Sequence, residues 1–118
     1  MFAPFKNVTV STMHAATKIV VITERSILDG VAELLEEHGA TGYTYTAAGG
    51  KGSRGKRRID RAPQVAGVLE NVKIEVIVPN HDVAERITEA VVEAYFDNYS
   101  GITYVEPVEI FRPGKFKI

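Results

Sequence analysis

The residues best suited to chemistry lie together in "GGKGSRGKRRIDR" (49–61). Lys51, Arg54, Lys56, Arg57, Arg58 and Arg61 face only Asp60 there, so residues 51–61 hold six of the 14 Lys and Arg and carry +5 on a remainder of −6. Glycines at 49, 50, 52 and 55 let backbone N–H groups approach an anion in conformations other residues avoid, and the flanking cations neutralise its charge. The chemistry implied is the holding of a phosphate-bearing ligand. Two other readings of the same charge stand beside it: a solvated loop kept charged for solubility, and a contact to nucleic-acid phosphates. The acidic remainder and the lack of interleaved aromatics weigh against the nucleic-acid reading.

Familiar phosphate fingerprints fail on this stretch. Gly50-Lys51-Gly52-Ser53-Arg54-Gly55 is a literal GxGxxG, but "KRRIDRAPQ" and then a strand follow it, not the helix N-terminus that a dinucleotide fold needs. A Walker A loop would need glycine where Tyr45 stands and Ser or Thr where Gly52 stands. Catalytic groups are equally thin. The chain has no cysteine, which removes disulfides, thiolate ligands and a thiol nucleophile. His14, His38 and His81 have no metal-site spacing, and no Ser-His-Asp order can be argued. Glu24, Glu75 and Asp97 could form a carboxylate pair, although nothing aims them at one another. We therefore expect no catalytic residue, no metal and no cofactor.

The elements that must position the basic stretch are legible around it. "KIVVITE" (18–24) has four consecutive aliphatics and reads as a central strand buried on both faces. "SILDGVAELLEEHGA" places Ser26 and Asp29 at capping-box spacing, repeats Leu28, Val31, Ala32 and Leu35 at helical period, and closes at Gly39. "TGYTYTA" alternates Tyr43 and Tyr45 with Thr44 and Thr46, a half-buried strand. "VLENVKIEVIVP" sets Val72, Ile74, Val76 and Val78 on one face, with Lys73 and Glu75 opposite. "HDVAERITEAVVEAYFDN" offers Asp82 and Glu85 as cap and capping partner of a second helix. "GITYVEPVEIF" is a last strand, which Pro107 confines to an edge or a bulge.

The order is β-α-β, long loop, β-α-β: an α+β, ferredoxin-like βαββαβ domain. Residues 1–16 read as an irregular N-terminal arm and 17–118 as one domain, the size expected of a single core. Both helices would cover one sheet face, and the other, bearing Tyr43, Thr44, Lys73 and Glu75, would be buried by oligomerisation. Neither a signal-peptide core nor a run of about 18 apolar residues occurs, so the expectation is a cytoplasmic chain with no membrane insertion.

At this point the residues resemble a family. "GYTYTAAGGKGSRGK" is similar to the second strand and T-loop base of the nitrogen-regulatory PII signalling proteins, and "VKIEVIVPNHDVAERITEAVVEAY" to their third strand and second helix. The resemblance runs from about Lys18 to Phe111. It implies a ferredoxin-like homotrimer, nucleotide held in the clefts between subunits, and a long T-loop that docks a target protein. The departures are specific. The "TGxxGDGK" stretch of nitrogen-type proteins is replaced by "FDNYSGITY", Asn71 stands where a lysine precedes "VKIE", and there is no tyrosine between Gly49 and Gly67. Fewer cations should favour ADP or AMP over ATP. "GGKGSR" with "YFDNYSGI" instead resembles the PII-like proteins of inorganic-carbon metabolism, both the bicarbonate-transporter regulators and the carboxysome-associated proteins. The absence of a terminal cysteine pair favours the carboxysome-associated branch or a short form of the other.

Carried over residue by residue, the resemblance implies nucleotide contacts at Gly42, Tyr43 and Thr44, at the end of the second strand. Gly50, Lys51, Gly52, Ser53 and Arg54 would wrap the phosphates, with Tyr99, Ser100, Gly101 and Ile102 supplied by the adjacent subunit and Arg112 a further candidate. Bicarbonate would share Gly50, Lys51, Gly52 and Arg54. Arg57, Arg58 and Arg61 would face a partner, a transporter or carbon-fixation component. The ligands implied are ADP and AMP, then ATP or cyclic AMP, and bicarbonate. A non-enzymatic sensor whose loop changes population on ligand binding is the leading reading. A nucleic-acid-binding module and a nitrogen-type PII regulator are the alternatives.

Overall fold

The computed structural model describes residues 12–50 and 70–111. Its elements are β1 (His14–Glu24), a single 3-10 turn (Arg25–Ile27), α1 (Leu28–Glu37), β2 (Thr44–Ala48), β3 (Asn71–Val78), α2 (His81–Tyr95) and β4 (Gly101–Ile110). The strands form one antiparallel sheet in the order β2-β3-β1-β4. This is the ferredoxin-like βαββαβ arrangement the sequence predicts. β1 is a central strand, and β4 is an edge on which Pro107, opposite Thr17, removes a donor at little cost.

The register sorts side chains between two faces. Ile19 lies opposite Val76, Val21 opposite Ile74 and Thr23 opposite Val72, and all of these residues are buried. Val31 and Leu35 from α1 and Ala84, Ile87 and Val91 from α2 close over that face into one core. Burial of each larger aliphatic contributes about 1.5–3 kcal/mol. The helices also approach one another closely, since a Cβ on Gly30 would land on the Tyr95 hydroxyl.

The second face carries Lys18, Val20, Ile22 and Glu24 from β1, with Lys73, Glu75 and Ile77 from β3. Lys18 Nζ lies 3.3 Å from Glu106 and 3.7 Å from Glu75, and Lys73 Nζ is 3.5 Å from Glu75. The hydrogen bond to Glu106 holds the Lys18 ammonium above its ordinary pKa; burial opposes it, and the charges of Glu75 and Glu106 add to the rise. Ile102 and Tyr104 of β4 lie exposed on this face.

Local details differ from the sequence reading at four points. β1 begins at His14, so His14, Ala15 and Ala16 are strand and not arm. Ser26 does not cap α1: it sits inside the 3-10 turn, and the helix starts behind Ile27 with no side-chain cap. α2 is capped by Asn80, whose Oδ1 accepts from the Val83 N–H at 2.9 Å, and Asp82 falls in the first turn. Tyr43 precedes β2 and packs against the helix-side core, whereas Thr44, Lys73 and Glu75 share the open face. At the end of α1, Gly39 adopts φ 94°, the left-handed conformation that favours glycine behind a helix.

Candidate functional site

Four strand ends meet at one end of the sheet. Ala48, where β2 hands over to Gly49 and Gly50, pairs with Asn71 of β3; Asn71 pairs with Glu24 of β1; and Thr23 pairs with Gly101 of β4. The Arg25 N–H donates to the Glu70 carbonyl at 2.7 Å, tying the turn after β1 to the entry of β3. The base of the 49–70 loop and the start of β4 are therefore held by one structural element, the C-terminal end of β1.

The sequence-predicted residues fall into three groups around this frame. Gly50 lies just past β2, while Gly42 and Tyr43 precede that strand and Thr44 opens it, so these three stand at its beginning and not at its end. The strand that stands between them is itself about 14 Å long from Thr44 to Ala48, at a rise near 3.4 Å per residue. Tyr99, Ser100, Gly101 and Ile102 lie at the start of β4, on the opposite edge of the sheet, about 14 Å across at strand spacings near 4.8 Å. A single chain does not bring the groups together. Lys51, Gly52, Ser53, Arg54, Arg57, Arg58, Arg61 and Arg112 lie outside the described residues.

Within the β4 corner the four residues have different roles. Tyr99 packs against the core and meets the Tyr95 ring edge-on at 6.1 Å between centroids. Ser100 is buried, with its N–H donating to Glu24 Oε2 at 2.8 Å. At Gly101 a Cβ would come within 2.6 Å of the Phe96 ring, and only Ile102 presents a large exposed side chain. At Gly42 and Gly50, by contrast, a Cβ would meet no atom within 4 Å, and neither glycine has a left-handed φ. Nothing in the described chain itself requires glycine at those two positions.

Glu24 and Glu75 do not make a carboxylate pair. Glu24 is engaged with Ser100, and Glu75 sits opposite Val20, four residues back along β1, within the Lys18 and Lys73 network. Thr23 and Glu24 both bond to Ser100, more than 70 positions away; Glu24 reads from sequence only as a carboxylate partner and Thr23 is passed over, since no local signal announces the contact. His81 lies 3.9 Å from Glu85, and with Asp82 these groups offer ligand atoms within 4.8 Å of one another. All three are exposed and solvated, an arrangement that assigns no metal. A groove of about 550 Å³ runs between α2 and β4, lined by Glu85, Glu89, Val92, Tyr104 and neighbours, and none of the predicted ligand residues that are described lines it.

With the corner in view, comparison with known proteins is decisive for the family. The model of the nitrogen regulatory protein P-II family matches residues 16–115. The chain belongs to the P-II family. Among solved structures, one from Thermus thermophilus described as a PII-like signalling protein shares 29% identity at a TM-score of 0.70, covering 88% of this chain and 97% of its own. CPII from Thiomonas intermedia, bound to ADP and bicarbonate, shares 25% identity at a TM-score of 0.72, covering 88% and 96%. CPII bound to ADP, AMP and bicarbonate, at 24% identity and a TM-score of 0.70 over 88% and 95%, adds support for the fold. The PII-like reading of residues 42–56 and 72–95 holds, and CPII among the neighbours agrees with the carbon-related branch. Residues 51–69 occupy the place of the family's T-loop, between β2 and β3. Among the described residues, no helix of this P-II chain is long and apolar enough to cross a membrane.

Proposed function

We propose that this P-II protein is a regulatory sensor of adenine nucleotides, ADP and AMP in preference to ATP, and of bicarbonate. The single observation that carries the reading is its likeness, at 25% identity, to CPII bound to ADP and bicarbonate. Two features of the chain support it. Gly42 and Gly50 are glycines that no described contact demands, as expected where backbone must approach a ligand or a second copy. The residue groups around β2 and β4 lie on opposite edges of the sheet, so a site using both is completed between copies, in a homotrimer. Ligand would shift the population of residues 48–67 and so change which target, a transporter or carbon-fixation component in the cytoplasm, can dock. No covalent step is assigned.

Bicarbonate is a small planar anion that needs convergent N–H donors and an arginine fork, both available in "GGKGSR". If nucleotide orders that stretch first, each ligand strengthens the other by the same factor. Titration of AMP, ADP, ATP and cyclic AMP with and without bicarbonate, at constant pH and with chloride as control, should show ADP and AMP tightened by bicarbonate alone. An unchanged affinity, or an equal effect of chloride, ends the bicarbonate part of the proposal.

A further inference from the structure

Thr23 and Ser100, 2% and 8% exposed, are buried polar residues that meet where β1 ends and β4 begins. The Ser100 N–H donates to Glu24 Oε2 at 2.8 Å and its hydroxyl donates to the same oxygen at 3.2 Å, while its carbonyl accepts from Thr23 Oγ1 at 2.7 Å. The next residue is equally confined, since a Cβ on Gly101 would lie 2.6 Å from the Phe96 ring and 2.9 Å from Thr23 Oγ1. A buried hydroxyl engaged by a carboxylate of its own chain is poorly placed to bind a ligand. It ties down the peptide groups on either side of it.

We infer that Glu24 is a positioning residue of the ligand corner. It accepts both donors of Ser100 and fixes the backbone of Ser100 to Ile102 in the conformation that meets the ligand, without touching the ligand itself. The inference rests on the nucleotide-binding reading above, and it reassigns Ser100 from ligand contact to anchor. Distance ranks the two bonds: the 2.8 Å bond from the backbone is the stronger, and the 3.2 Å bond from the hydroxyl is the weaker. What the corner needs from position 24 is an acceptor and not a negative charge, which beside a bound phosphate would oppose binding. Glutamine supplies an acceptor oxygen on a side chain of the same length.

The test uses the full chain and its Ser100→Ala, Glu24→Gln and Glu24→Ala variants, with ADP titration by calorimetry and amide hydrogen exchange at Ser100. Melting temperatures establish that each variant is folded. Ser100→Ala and Glu24→Gln should keep ADP affinity within about threefold, because the backbone bond survives in both. Glu24→Ala should weaken it by about tenfold or more and speed exchange of the Ser100 amide, which has lost its acceptor. If Ser100→Ala loses as much as Glu24→Ala, the hydroxyl touches the ligand and the inference is overturned. It is also overturned if Glu24→Gln is as weak as Glu24→Ala, or if Ser100 exchange is unaffected by Glu24→Ala. A wild-type chain that binds no ADP ends the nucleotide reading, and the exchange comparison then decides by itself whether Glu24 positions the turn.

Discussion

On the helix-covered face of the sheet, β1 and β3 present Ile19, Val21, Ile74 and Val76, with Val31, Leu35 and Ile87 packed over them. On the other face the same two strands present Lys18, Val20, Lys73 and Glu75, and the two helices lie elsewhere. The first face is finished by the chain's own helices through non-directional apolar burial, and Thr23 is accommodated there with its hydroxyl donating to the Ser100 carbonyl. The second mixes aliphatics with a paired charge network, at Lys18, Glu75, Lys73 and Glu106. Val20 is nonetheless only 1% exposed, between its cross-strand neighbours Glu75 and Tyr104. One face thus specifies the fold, while the other carries a partly exposed charge network that would demand matched partners in anything covering it.

Breaking the closed face should have the largest effect. Leu35 is fully buried under the sheet, and Leu35→Ala should cost about 2–5 kcal/mol in urea denaturation, the range for cavity formation in a core. A loss below about 1 kcal/mol would mean that α1 is not packed as described. Next comes the corner joining the faces. Gly101→Ala forces a methyl group against Phe96 and Thr23, and should cost about 1–3 kcal/mol as overpacking does. An unaltered midpoint would show that the Phe96 ring can swing away.

On the open face the expected stability effects are smaller, which sharpens the contrast. Ile102 is 59% exposed in the single chain, so Ile102→Ser should change that chain's intrinsic stability by no more than about 0.5 kcal/mol, while lowering the assembled mass seen by light scattering if copies meet there. A large stability loss with no change in mass would place Ile102 in the chain's own core. The least effect is electrostatic. The Lys18 pKa is raised in the folded state, so its contribution is fully present below the ordinary lysine value of 10.5 and fades as pH rises through the higher folded value. Lys18→Met should flatten that part of the alkaline stability profile; a profile identical to wild type would remove Lys18 from the account.

The same contrast explains what could be read beforehand. The alternation of Val72, Ile74, Val76 and Val78 declared a strand with one buried face because burial has a period, and that period is written locally. The GGKGSR stretch and the 72–95 segment carried the family for a similar reason: both are continuous in sequence. Caps were less legible, since Asn80 and Asp82 are both good acceptors two positions apart and only the backbone decides between them. Whether Gly42 begins or ends a strand depends on where pairing with β3 stops, which propensity does not determine. The Glu24–Ser100 bond joins opposite ends of the chain and had no local trace.

Adenine-nucleotide binding by this P-II chain is tested most directly by isothermal calorimetry of the purified full chain with ADP. The prediction is saturable binding, approaching one ADP per chain, with AMP competing and ATP weaker. No heat of binding with ADP or AMP at millimolar concentration would contradict it.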